Sequence, residues 1–363
     1  MKSGGTVSVE TAAGFQVELV TKENVCSLAA GLSEMDLLVR GRRLDADFWP
    51  WLYFRNPAGA GKTVAAMSGS RVVGKLGRVP LRVSVGGEVL TAELTEGLTL
   101  FREFRNWTCF RRLIEASVLI DPANDPPFAF GFSTPQMAKM HASLGQPTLG
   151  RVSMFAGVLN GTRMLAERGF PRPAAMAASI VARAVFGLKR KPAASPGIEL
   201  SEVAGFGKEY DELWRALEPL DGVAVVKDAA YLNWRYVDCP AASYGRLAAH
   251  TGGKLAGYIV WRSNGPKGDG YVLELAARDD SEPVLRALLR AALESMARNN
   301  VGLVIASFPP GAVCVRALRC AGFGSWAARI KNMSLTVTPG RDGYRPEQPA
   351  TAWRYTLGDW IYH

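Results

Sequence analysis

Apolar and polar positions along the chain set out one series of strands and helices, then a second series in nearly the same order. Alternation over residues 63–68 and 71–80, either side of Gly69, predicts a β-hairpin (TVAAMS, RVVGKLGRVP). A strand over 88–100 follows, then a helix over 107–120, a strand over 127–132, a helix over 135–143 and a strand over 150–158. Further along, strands are predicted over 244–251, 254–262, 270–277, 302–308 and 325–337, with helices over 282–299 and 312–320. Leu285, Leu288, Leu289, Ala292 and Met296 recur at helical spacing and mark a core-facing stripe. An antiparallel meander that feeds β–α–β units predicts an α/β fold with a central mixed sheet, flanked by helices, in each copy.

The two series are related by sequence as well as by order. At an offset of 183, WLYFRNPAGAGKTVAAMSGSRVVG (51–74) aligns without gaps to WRYVDCPAASYGRLAAHTGGKLAG (234–257), with eight of 24 positions identical. Trp51/Trp234, Tyr53/Tyr236, Pro57/Pro240, Gly69/Gly252 and Gly74/Gly257 are among them. Each copy reads as an aromatic helix end, a proline break, a strand, a glycine turn and a second strand, which makes the chain a tandem of one fold.

Its 363 residues suit two domains, expected at 1–160 and 201–363, joined by a basic linker helix at 161–200. Composition is globular, with 48% hydrophobic and 21% charged residues. The net charge of +10 is uneven: the three segments carry excesses of +3, +2 and, in the short linker, +5. Neither large block is a basic domain, so DNA binding is disfavoured, and the surplus points to a local contact of residues 172–191 with an anionic membrane surface or carrier protein. The same segment also reads as a packed connector. Residues 174–187 form the longest apolar candidate, too short to span a bilayer and broken by Arg183, and the first residues lack a signal-peptide core. Cys26, Cys109, Cys239, Cys314 and Cys320 are scattered and never form a CxxC pair, which fits a reducing cytoplasm and no metal. GAGKT (59–63) is a false P-loop, because Asn56 stands where the pattern needs glycine and a strand follows instead of a helix. The aromatic tail WRYTLGDWIYH (353–363) is expected either to dock on a domain or to let Asp359 and Trp360 line a pocket.

The words RNPAG (55–59), RVVGKLGRVPLRVSVGGEVL (71–90), FREFRNWTCFRRL (101–113), FGF (130–132) and HASLG (141–145), answered later by DAAYLNWRY (228–236), KLAGYIV (254–260) and LRCAGF (318–323), resemble a tandem GNAT-superfamily N-acyltransferase. The resemblance runs over roughly residues 40–340. It implies acyl-CoA, with acetyl-CoA first, as co-substrate and a small amine such as an amino sugar or amino acid-like metabolite as acceptor. It also implies a phosphate cradle after the third strand, at Arg105, Asn106, Trp107, Thr108, Cys109 and Phe110. Asn106 and Thr108 stand there where the family has glycines. A tyrosine that reprotonates the thiolate in relatives corresponds to His141, which can do the same near neutral pH. Glu93 and Glu96 are the candidate bases, and three residues apart on a strand they face opposite ways, with Glu96 nearer the sheet opening. In the second copy Asp279, Asp280 and Glu282 stand where phosphates would bind and would repel them, and Leu318 replaces the acid. Two other readings stay open: a catalytically silent binding or scaffold protein, and an acyltransferase whose donor is an acyl-carrier protein or aminoacyl-tRNA.

Overall fold

The computed structural model describes residues 15–119, 126–146, 148–186, 197–219, 222–326, 332–340 and 342–361. The first half runs β1 (Gln16–Val20), α1 (Val25–Arg40), α2 (Phe48–Phe54), β2 (Lys62–Ser68), β3 (Arg71–Val85), β4 (Glu88–Leu100), α3 (Trp107–Leu119), β5 (Phe128–Ser133), α4 (Pro135–Ser143) and β6 (Thr148–Arg151). Then come β7 (Met154–Val158), α5 (Gly161–Ala166), α6 (Arg172–Phe186), β8 (Ile198–Glu202), α7 (Lys208–Leu217), β9 (Val223–Val225) and α8 (Ala229–Tyr236). The last part is β10 (Gly245–Thr251), β11 (Lys254–Arg262), β12 (Gly270–Ala277), α9 (Glu282–Arg298), β13 (Leu303–Ser307), α10 (Val313–Cys320) and β14 (Ser334–Pro339), followed by the tail.

Two mixed sheets result, ordered β1-β2-β3-β4-β5-β14-β6 and β7-β13-β12-β11-β10-β8, with β9 added beside the far end of β3. Every pairing is antiparallel except β4 with β5 and β12 with β13. The stripe Leu285, Leu288, Leu289, Ala292 and Met296 is buried on α9 as its spacing requires. β3 runs to Val85, past the expected end at Pro80. Proline is tolerated there because β2 reaches only as far as Arg78 and takes no ladder bond from position 80.

The sheets exchange their closing strands, and this corrects the strand expected over 150–158. It breaks at residues 152–153, where Val152 N–H donates to Met333 O (2.9 Å) and Ser153 N–H to Tyr355 Oη (2.9 Å). β6 stays in the first sheet, while β7 crosses to pair with β13 in the second. β14, from the second copy, inserts between β5 and β6. Local alternation marks a strand but carries no information about which sheet receives it.

The repeat becomes an approximate two-fold centred on α2 and α8. Trp51 and Trp234 stack with ring centroids 5.1 Å apart at 20°. Trp51 Nε1 donates to Trp234 O (2.9 Å) and Trp234 Nε1 to Trp51 O (3.3 Å). Equivalent residues thus meet each other, so the exchanged strands and this stack tie the halves through a shared core.

Each sheet opens beside its parallel pair. β4 meets β5 only at Glu93 and Leu94, opposite Ala129 and Phe130. Past that point its register to β3 slips between Lys75 and Gly77, with Gly97 in the left-handed region (φ 69°) that favours glycine. The bulge bends β4 away from β5. β12 likewise meets β13 only over Gly270 to Val272 and is free of it beyond.

Candidate active site

The opening between β4 and β5 is a cavity of about 360 Å³. Glu96 and Gly97 of β4, Phe132 of β5, His141 of α4, Thr336 of β14 and Trp360 of the tail line it. The second copy therefore supplies part of the wall, through the exchanged strand and through the tail. Trp360 stacks on Phe132 at 5.1 Å, and the buried Arg235 guanidinium donates to the carbonyls of Trp360 (3.1 Å) and Ile361 (3.3 Å).

Glu96 is buried at the inner end. Tyr53 Oη donates to its Oε2 (3.2 Å), and Lys75 Nζ lies 3.3 Å from its Oε1. Lys75 has no exposed surface and sits 4.9 Å from the Trp49 ring centroid. Burial pulls its ammonium down from 10.5 to about 8, with the Glu96 carboxylate opposing that fall. Burial drives the Tyr53 phenol far up, so it remains a donor. The group is a desolvated carboxylate held by one cation that releases its proton just above neutral pH.

Glu93 has the opposite outcome from Glu96. It is buried in an ion pair with Arg78 (3.0 Å) and lies 3.3 Å from Lys62, on the strand face turned from the cavity. The alternation argument held that at most one of the two could face the opening; Glu96 lines the cavity, while Glu93 is engaged by Arg78 and Lys62.

His141 lies in the last turn of α4, whose start is fixed by Thr134 as cap and Pro135 at the first helical position. Its Nδ1 meets Gln146 Oε1. Burial lowers its pKa, which the Gln146 contact partly offsets. With Oε1 accepting, Nδ1 carries the ring proton and Nε2 is a free acceptor. In this tautomer the ring of His141, expected as the acid, can accept a proton at Nε2.

The loop into α3 departs from the glycine pattern in a way that has a structure. Asn106 Oδ1 accepts from Cys109 N–H (2.9 Å) and caps the helix, taking one N–H that a phosphate would use. Arg105 Nε donates to Leu100 O (2.8 Å) and fastens the loop to the strand end. The N–H groups of Trp107 and Thr108 have no partner among the described residues and sit at the positive end of the helix. Arg105, Asn106, Trp107 and Thr108 are exposed, whereas Cys109 is buried and Phe110 packs on the core, so those two side chains support the loop from behind. Two free N–H groups beside Arg102 and Arg105 fit a phosphate, though with fewer donors than a glycine loop gives.

Sequence reading passed over Tyr53, Lys75 and Gln146. Two signals were present: Tyr53 is one of the identities kept between the copies, and Lys75 is the one charge over residues 73–85 on a strand face otherwise made of Val73, Gly77, Val79, Leu81, Val83 and Val85. Nothing local marks Gln146; Trp360, expected as a candidate pocket residue of the tail, lines the cavity because the tail folds back.

No protein-family model matches the sequence, and neither does any curated protein. Solved structures do match. N-myristoyltransferase of Saccharomyces cerevisiae with bound myristoyl-CoA is similar over 99% of this chain and 87% of its own, at 13% identity and a TM-score of 0.63. A probable N-acyltransferase from Enterococcus faecalis matches over 90% of this chain and 71% of its own, at 10% identity and a TM-score of 0.52. A GCN5-related N-acetyltransferase from Anabaena variabilis matches over 88% and 72%, at 13% identity and a TM-score of 0.56. The fold is the tandem GNAT-like arrangement of these acyltransferases.

Proposed function

We propose that the protein is an acyl-CoA-dependent N-acyltransferase working at the opening between β4 and β5, with acetyl-CoA as donor and a small amine as acceptor. The supporting observation is that Glu96 and His141, from opposite walls, share one cavity beside an α3 N-terminus with free N–H groups. Phosphates of the donor rest on Trp107 and Thr108 N–H with Arg102 and Arg105 alongside. The thioester arm enters between the strands, where β4 beyond Leu94 has lost its β5 partner. A cavity of about 360 Å³ closed by Phe132 and Trp360 favours a short acyl chain.

The chemistry follows from the two side chains. The buried Glu96 carboxylate draws the acceptor's ammonium to the inner end of the cavity, where the ammonium gives one proton to solvent and becomes the neutral amine. The amine nitrogen attacks the thioester carbonyl carbon while its proton passes to His141 Nε2. The new N–C bond forms, the C–S bond breaks, and His141 returns that proton to the leaving thiolate, acting as base and then as acid. Because burial holds His141 below its ordinary value of 6.5, the base form prevails at neutral pH. Turnover then falls as pH drops through that lowered pKa. Calorimetry with acetyl-CoA, paired with release of free thiol on adding amines, tests the reading: saturable binding and amine-dependent release support it. No binding at millimolar donor contradicts it.

A second reading adds attachment to an anionic membrane through α6. Met176 (62% exposed), Ile180 (73%) and the adjacent Phe170 (50%) present apolar surface within the segment that carries the +5 charge excess. No helix among the described residues is long and apolar enough to cross a membrane. Flotation with phosphatidylserine vesicles, abolished by Ile180→Asp, supports attachment; failure of the wild type to float removes it.

A further inference from the structure

We propose that the opening of the second sheet is a binding site for a primary ammonium carried on an apolar or aromatic body, with Glu274 as its counter-ion. This opening is a cavity of about 550 Å³ beside β12, within the size range of small-molecule sites. It is the counterpart of the first opening. Glu274 pairs across the sheet with Val260, which at the 183-residue offset corresponds to Gly77, the cross-strand partner of Glu96. Tyr236, the counterpart of Tyr53, donates to Glu274 Oε1 (2.6 Å) as Tyr53 does to Glu96. The tyrosine–glutamate pair has been kept. The anion-binding end has not: Asp279 and Asp280, both in the left-handed region, lead into α9, with Asp280 on the cavity wall, while Glu282 is paired with Arg286 (3.5 Å) and Arg316 (3.6 Å). An opening that keeps its inner carboxylate and turns acidic at its mouth selects a cation.

The charge balance of the cluster points the same way. Lys227 Nζ contacts Glu274 Oε1 and Asp359 Oδ1, each at 2.6 Å, so one ammonium serves two buried carboxylates. Asp359 is otherwise satisfied, since its Oδ2 accepts from Thr356 N–H (2.7 Å). Glu274 is 2% exposed, and both of its hydrogen bonds fall on Oε1. Its Oε2 has no partner among the described residues, on a side chain that lines the cavity. A buried carboxylate left without its own cation is costly, and a ligand ammonium on Oε2 completes the set. Trp214, Tyr258 and Phe308 furnish aromatic wall for the ligand's body and for cation–π contact. Lysine and arginine do not fill the role: Lys227 is already shared, and Arg354 is turned at the rim to Leu217 O (2.9 Å).

Calorimetry on the full chain with 2-phenylethylammonium chloride, 2-phenylethanol and phenylacetate tests this without any acyl donor, so its failure is separate from failure of the transferase reading. The ammonium is expected to bind at one site, at least tenfold more tightly than the alcohol, with phenylacetate not binding. Glu274→Gln is expected to erase that preference. Gly311→Trp covers the case in which Glu274→Gln fails to fold. Gly311 is an exposed cavity-lining residue where an added Cβ meets nothing within 4 Å, and its variant is expected to lose the ligand. Equal affinity for amine and alcohol, or undiminished binding to Gly311→Trp, overturns the proposal. If Gly311→Trp also stops acyl transfer to amines, the site's occupant is the acceptor; if transfer persists while binding is lost, it is a separate effector.

Discussion

Glu93 and Glu96 show how far two identical side chains three residues apart can diverge. Glu96→Gln removes the buried charge that draws the acceptor, and turnover is expected to fall by about a hundredfold with donor affinity unchanged, read as kcat against calorimetric Kd. Glu93→Gln breaks a buried pair and is expected to cost about 3 kcal/mol of stability while the folded fraction keeps its turnover. Denaturant unfolding and activity per folded protein separate the two; swapped phenotypes would reverse the assignment. Lys75 adds a pH signature. Its folded pKa, about 8, lies below its ordinary 10.5, so the unfolded chain binds more protons in that window and stability rises with pH there. The rise, at most about 1.4 kcal/mol per pH unit, is expected to be absent in Lys75→Met. Alternation along β4 was enough to say that one glutamate at most could face the cleft. It was silent on Lys75 and Tyr53, because a cross-strand cation and a tyrosine from α2 reach Glu96 only through the fold.

The loop into α3 carries the main departure of this chain from the pattern it resembles. Asn106 serves the helix as a cap and so competes with a phosphate for Cys109 N–H. Asn106→Gly is expected to lower stability by only a few tenths of a kcal/mol, since glycine is itself an acceptable cap. It frees a third N–H, and acetyl-CoA is expected to bind several-fold tighter by calorimetry; weaker binding would mean that Asn106 itself holds the donor. The missing glycines were plain in the sequence, but the capping bond that explains their tolerance was not. Most strands and helices were legible from periodicity. β1, α1, β8, α7 and β9 were not assigned, since each is short or lies outside the repeated segment. The basic residues 189–191 lie outside the described residues.

Between the halves, the 183-residue repeat was legible and its geometric meaning was not. Two copies of a fold can stand apart on a linker; here they exchange β7 and β14, stack Trp51 on Trp234, and share the tail. Trp51→Ala is expected to cost about 3–5 kcal/mol, and adding Trp234→Ala clearly less than the same again, because the two lose one contact. Full additivity in denaturant unfolding would show that the stack does not couple the halves. The same exchange explains why the first opening draws walls from both copies, whereas the second is lined by the second copy alone. Only the first has an α3-type N-terminus free of acidic side chains, which is the ground for proposing it as the donor's place. Amide hydrogen exchange on adding acetyl-CoA reads this directly. Protection is predicted at residues 95–98 and at Trp107 and Thr108, with residues 273–282 unchanged. Protection confined to the second opening, or none at saturating acetyl-CoA, would contradict the account.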